Sequence, residues 1–297
     1  LKLVEEADVF ISNFRLGVNE KLGLGREDLI KINPNLIYVS ITGFGEEGPL
    51  SSAPAYDHVI QGMSGATSIQ SSDDKPAYIK TLIFDKITAY TACQALTAAL
   101  YKREKTGKAS HIKLSMLDSA IFFLWPDGMM NETLLDKDVK KLPPLSSTYS
   151  SLVPAKDGFF VMAAMTDAQW FGIFDAIKKP EYKTDPRFVN ASARSENMSE
   201  LVAKALYSFM DLTVEESINA LRANDVPCAE STPREEVINH PQVKASKTIF
   251  QMTSPHQGKL NAVSHPAIFD DERLSIDKTA PSLGEDTKTI IENLSKE

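Results

Sequence analysis

The stretch that most constrains this chain is TLIFDKITAYTACQALTAALYKREKTGKASHIKLSML, Thr81–Leu117. Ile87, Tyr90, Leu96, Ala99 and Leu100 are apolar amid strong helix formers, so the spacing predicts one long helix. Lys102, Arg103 and Lys105 crowd its far end, where cations complement the macrodipole. Gly107 supplies a left-handed exit, and His111–Ser115 reads as a strand. A strand-like approach from Ala77 to Phe84 gives way to the helix at Asp85. An aspartate there has two readings: a helix cap, among the commonest roles of Asp, or a nucleophile.

The preceding sequence alternates short strands with helices, an α/β pattern. Leu1–Ala7 reads as the end of a helix and Val9–Ile11 as a buried strand followed by Asn13-Phe14-Arg15. A helix over Arg26–Ile32 stops before Pro34, because the residue preceding proline resists the α region. Leu36–Ile41 is apolar and β-branched, a buried strand. It runs into Thr42-Gly43-Phe44-Gly45-Glu46-Glu47-Gly48-Pro49, a loop able to lie close to a ligand or to another backbone. That loop has neither dinucleotide-fingerprint spacing nor a P-loop lysine. Pro54-Ala55-Tyr56-Asp57 opens a helix to Met63 with ordinary capping chemistry. In open α/β sheets ligands gather at the carboxyl ends of strands, which makes Asn13 and Arg15 candidate contacts.

Beyond Met116–Trp125, read as a further helix, composition shifts at 136–151 to a Lys-, Pro- and Ser-rich linker. A strand at Phe159–Ala164 and helices at Ala168–Ile177, Met198–Met210 and Val214–Asn224 indicate a smaller α+β domain. A helix at Pro233–Asn239, a break at His240-Pro241, a β-ribbon at Ile249–Ser264 and a helix at Asp286–Leu294 complete the chain. The expected division is a large domain over 1–140, a small domain over 141–232 and a return segment over 233–297 completing the large one.

A formal charge of −8 over 297 residues provides no basic excess to neutralise nucleic-acid phosphates. No apolar run is long enough to span a bilayer, and there is no signal-peptide layout, so the cytoplasm is the expected compartment. Cys93 and Cys228 are in no metal-ligand spacing, which gives no expectation of a metal site. Cys93, inside the apolar helical pattern, is read as core.

ADVFISNFRLGV at Ala7–Val18, INPNLIYVSITGFGEEGP at Ile32–Pro49 and AYDHVIQGMSG at Ala55–Gly65 occur in order. They are followed by ALYKREKTGK, MLDSA, DPRF, VPCA and PSLGEDT. The series resembles the class III (CaiB/BaiF-type) CoA-transferase family, which includes formyl-CoA transferase and α-methylacyl-CoA racemase. The resemblance implies a Rossmann-like large domain, a smaller inserted domain and an interlocked homodimer. Family members extend further at the N-terminal side, so it also implies that Leu1 lies inside the large domain, with earlier strands and some CoA contacts preceding it.

The resemblance implies a role for each site residue. Asp85 matches the aspartate that attacks an acyl-CoA thioester, giving an acyl-aspartyl anhydride and CoA thiolate. The thiolate then forms an aspartyl–CoA thioester, and an acceptor carboxylate regenerates acyl-CoA through a second anhydride. Such a carboxylate acts by being held in line with its electrophile, and free N–H groups at the helix start could stabilise the oxyanion. Asn13, Phe14 and Arg15 match CoA-contacting positions and Lys21 a phosphate-binding one; Tyr56 and Asp57 match positions beside the CoA thiol. Acyl-CoA and a small carboxylic acid are the implied substrates, with no permanently bound cofactor.

The family's racemases carry a histidine at the position of Tyr56. Tyrosine, with an ordinary pKa near 10, is a poor base at neutrality, and His58 is about 200° further around the helix. Transferase is therefore preferred to racemase, for which Asp167 is the loosely matched acid; a non-catalytic CoA-binding remnant is the other alternative. The formyl-CoA branch carries a glycine-rich loop before the small domain. Leu142–Ser151 has no glycine, which points away from oxalate and formate.

Overall fold

The computed structural model describes residues 1–71, 75–136, 138–139, 141, 152–274, 276 and 278–295. The chain divides into two compact units, Leu1–Thr148 with Glu292–Glu297, and Tyr149–Ile291.

In the first unit, strands β1 (Val9–Ser12), β2 (Ile37–Thr42) and β3 (His111–Ser115) form a parallel sheet in that order. Val39 is in register with both Ile11 and Ile112. Helices α1 (Lys2–Glu6), α2 (Val18–Lys21) and α3 (Arg26–Ile32) belong to the β1 side of the chain. Helices α4 (Asp57–Met63), α5 (Ala66–Ile69) and α6 (Ile83–Thr106) cross from β2 to β3, and α7 (Met116–Leu124) follows. The central strand is apolar on both faces because both are covered. Ile37 and Val39 pack with Ala99, Leu96 and Leu100 of α6. Tyr38, on the opposite face, joins Val4, Leu29 and Leu36. The result is a mixed α/β unit with helices on either side of the sheet.

The far end of α6 follows the sequence reading. Gly107 adopts φ 66° and its N–H returns to the Arg103 carbonyl. Arg103 does more than complement the macrodipole: its guanidinium holds the Asp8 carboxylate and the Asp8 and Asn35 carbonyls, tying the helix to the entrances of β1 and β2.

The second unit contains a small antiparallel sheet, β4 (Val153–Ala155), β5 (Gly158–Met162) and β6 (Cys228–Glu230). Its core is aromatic, with Phe160, Phe174, Phe188 and Phe209 buried together. Helices Asp167–Ala176 and Val214–Ala223 each begin with a capping box, from Thr166/Gln169 and Thr213/Glu216.

Several expectations are corrected. The approach to α6 is not a strand, and the helix starts at Ile83, two residues before Asp85. Cys93 and Tyr90 are exposed; α6 is so rich in Ala and Thr that its composition does not mark a buried side. The break at His240-Pro241 instead begins a helix, Pro241–Ser246, since proline is tolerated at the first helical position. Only a short 3₁₀ turn, Val237–Asn239, stands where a helix from Pro233 was expected. Among the described residues the strands of 233–291 pair with one another, β7 (Ile249–Ser254) with β8 (Gly258–Val263) and Ile268–Phe269 with Glu272–Arg273. The linker reading at 136–151 and the glycine-free Leu142–Ser151 run fall largely or wholly outside the described residues.

Candidate active site

Asp85 occupies the third position of α6, and its side chain is exposed. It is not the cap. The cap is Asp57, whose Oδ2 accepts the N–H groups of Phe84 (2.7 Å) and Asp85 (3.1 Å). Asp57 is buried at 1% exposure, and its Oδ1 accepts from Gln61 Nε2 at 2.6 Å. Two of the four orphan donors that a helix presents at its start are thus satisfied by a carboxylate from α4. The expectation that these N–H groups were free for an oxyanion is corrected accordingly. Among the described residues no hydrogen bond engages the Asp85 carboxylate, so its lone pairs are available.

The ionisation of Asp85 reflects this arrangement. Its pKa is raised, first by the partial desolvation it retains at the helix start and then by the neighbouring Asp57 charge; Lys86 and His58 pull it back down. The helix start therefore does not hold Asp85 at unusually low pKa. The cap's own charge and desolvation outweigh the cations.

α4 is placed by the glycine loop. A Cβ on Gly43 would stand 2.3 Å from the Ala55 Cβ, so glycine is required where the loop after β2 passes the entry to α4. Of the two meanings open to that loop, the close partner here is another segment of the chain. Tyr56, the residue preceding α4, is 78% exposed. His58 packs edge-on against Tyr78, ring centroids 5.3 Å apart. His58 and residues 77–82 line an open, mainly apolar cleft of about 630 Å³ on the segment that runs into α6.

The other expected residues are found at the carboxyl end of β1. Ser12 Oγ donates to buried Asn19 and accepts the Phe14 N–H, turning the chain so that Asn13, Phe14 and Arg15 are exposed. Lys21 ends α2, also exposed. Neither Arg15 nor Lys21 has an ion-pair partner among the described residues. A second cleft, about 400 Å³, opens at the carboxyl ends of β2 and β3 between Thr42, Phe44, Glu46, Lys113, Ser115 and Asp118. The structure therefore links Asp57 directly to Asp85, whereas no hydrogen bond among the described residues joins the 13–21 group to them. Asp57, expected beside the CoA thiol, is buried with both oxygens accepting from protein donors.

Sequence reasoning missed Gln61 and the Ser12–Asn19 pair. The Asp57–Gln61 spacing of four, which puts both on one helix face, was the available signal for the first. In the second unit Asp167 is ion-paired with buried Arg194, which also lies over Trp170. Among the described residues no group of three or more His, Cys, Asp or Glu could hold a metal ion, and no helix is long and apolar enough to cross a membrane.

The chain belongs to CoA-transferase family III, whose model matches residues 1–287. It is 33% identical over 256 residues to an acetyl-CoA:oxalate CoA-transferase of Acetobacter aceti, covering 84% of this chain and 65% of that protein. It is 29% identical over 318 residues to a formyl-CoA:oxalate CoA-transferase of Escherichia coli, covering 99% of this chain and 76% of the relative. The chain thus spans about two-thirds to three-quarters of the length of these relatives. Among solved structures it matches Rv3272 of Mycobacterium tuberculosis with a TM-score of 0.84 at 27% identity, over 97% of this chain and 78% of that one. It also matches a CaiB/BaiF family protein of Brucella suis, with a TM-score of 0.80 at 31% identity, over 99% and 77%.

Proposed function

We propose that this chain carries the catalytic centre of a class III CoA-transferase, with Asp85 as the nucleophile. The observation that carries the reading is the division of labour at the start of α6: Asp57 caps the helix, leaving the Asp85 carboxylate exposed and, among the described residues, without a hydrogen bond. An Asp85 oxygen attacks the thioester carbonyl, the C–S bond breaks, and CoA leaves as thiolate. The thiolate attacks the Asp85 carbonyl and expels the donor as its carboxylate. An acceptor carboxylate then displaces CoA from Asp85, and the thiolate takes the new acyl group and frees the aspartate. The raised basicity of Asp85 favours the first attack once the group is ionised.

Tyr56 is proposed to flank the CoA thiol, and Asn13, Phe14, Arg15 and Lys21 to hold the remainder of CoA. Their exposure supports this, as does the lack of an ion-pair partner for Arg15 or Lys21 among the described residues. Asp57 contributes from behind Asp85 and not by touching CoA. Oxalate, the acceptor named for both curated relatives, is the first acid to try; the contrary expectation rested on 142–151. Acetyl-CoA with oxalate should yield oxalyl-CoA, and Asp85→Ala should abolish it. No transfer to oxalate or to a panel of mono- and dicarboxylic acids would reject the reading. The racemase alternative is not favoured, since Tyr56 stands in the histidine position and Asp167 is engaged by Arg194.

The working form is proposed to be an interlocked homodimer in the cytoplasm, in which 233–297 completes the large domain. Tyr90 and Tyr101 on α6 and Phe122 on α7 stand 75%, 66% and 79% exposed, and association would cover such side chains. Light scattering should give twice the 32.7 kDa chain mass. A monomer with full activity would contradict the dimer.

A further inference from the structure

We infer that Gln61, acting through Asp57 and through the segment before α6, is a positioning residue for Asp85. The inference rests on the reading of Asp85 as nucleophile. Gln61 is fully buried. Its amide treats the approach segment as a strand partner would: Oε1 accepts the Ile79 N–H at 2.9 Å, while Nε2 donates to the Ile79 carbonyl at 3.2 Å. The same Nε2 reaches the Thr81 carbonyl at 3.1 Å and Asp57 Oδ1 at 2.6 Å. The two Nε2 protons thus serve three acceptors. The bond to Asp57 is charge-assisted and the shortest, leaving the two carbonyls to share.

One side chain thereby fixes both routes into the start of α6. It holds residues 79–81 without a neighbouring strand, which explains why the sequence looks strand-like there and yet no strand forms. It also sets the rotamer of Asp57, whose other oxygen binds the Asp85 N–H. Removing Gln61 would leave a buried carboxylate oxygen and the Ile79 N–H without their partners, and such groups are costly to strand. The groups that bear on the Asp85 charge are Asp57 and His58 from α4 and Lys86 from α6. Gln61 sets where the first of these lies.

The test is acylation of Asp85 by acetyl-CoA, trapped with hydroxylamine, in wild type, Q61A and D57N across pH. Q61A should acylate about 10- to 100-fold more slowly, the usual result of misplacing a reacting group by about an ångström. Its affinity for CoA should stay within about twofold of wild type. D57N removes the like charge, so the acid limb of its acylation profile should move to lower pH, a displacement that loss of packing alone would not produce. Wild-type rates and an unmoved acid limb in both variants, with D85A inactive, would overturn the inference and leave the nucleophile intact. No acylation in the wild type would overturn both. Should Q61A fail to fold, D57N and wild-type amide exchange decide. The Ile79, Phe84 and Asp85 amides should be protected, and exchange at unfolded-chain rates would contradict the clamp.

Discussion

The start of α6 and the loop after β1 are both expected to touch acyl-CoA, yet they are built in opposite ways. At α6, Asp57, Gln61 and Phe84 are almost wholly buried; Asp57 holds the backbone N–H groups of Phe84 and Asp85, and Gln61 holds Asp57 and the segment at 79–81. At the β1 loop, Asn13, Phe14 and Arg15 are exposed on a turn held by Ser12 and Asn19, with Lys21 exposed at the end of α2. The contrast separates a part that must be rigid before substrate arrives from a part that supplies charge and contact. Covalent chemistry needs in-line placement, whereas holding a long, charged ligand needs accessible donors.

The comparison is broken most readily by attacking the rigid side. Phe84→Ala empties a position packed against Ile60, Ala66, Ala120 and Leu124. It should cost about 3–5 kcal/mol of stability by denaturant melts; a loss under about 1 kcal/mol would mean that this core does not hold the site. On the open side, Arg15→Ala and Lys21→Ala should each weaken CoA binding about tenfold, or ~1.4 kcal/mol, by calorimetry. The loss should shrink at high salt, while stability changes by no more than about 0.5 kcal/mol. Unchanged affinity in both variants would remove this loop from the CoA site.

The smallest effect concerns the charge of Asp85 itself. Its folded pKa lies above the ordinary value, so between the two the folded state binds more protons and stability falls as pH rises. Asp85→Asn should therefore be slightly more stable than wild type at neutral pH, by less than about 1 kcal/mol for so exposed a group. The gain should vanish below about pH 3.9, the ordinary aspartate value. The wild-type acylation rate should fall through the raised value as pH drops. A variant less stable at neutrality would contradict the assigned direction.

Local pattern made much of the frame legible. The bounds of α3 and β3 match the structure, and β1 and β2 differ by about a residue, because proline, glycine and β-branched runs act on their immediate neighbours. Asp85 could be singled out, but whether it capped its helix could not. The true cap is 28 residues earlier in the chain, on α4, and no local rule carries that distance. Gln61's role was hidden for the same reason: beyond Asp57, four residues away on one helix face, its partners at 79 and 81 meet it only after folding. Cys93 misled because an Ala- and Thr-rich helix gives no contrast between its sides. The loop after β2 was marked as able to lie close to a ligand or to another backbone, and in the structure its Gly43 lies against Ala55.

The account turns on Asp85 as a free carboxylate beside an occupied cap. Its most direct test is to incubate the wild-type chain with acetyl-CoA and hydroxylamine and map the product by mass spectrometry. A hydroxamate on Asp85, absent from Asp57 and lost in Asp85→Ala, is the predicted result. A chain that binds CoA but carries no hydroxamate on Asp85, or carries it on another residue, would contradict the central claim.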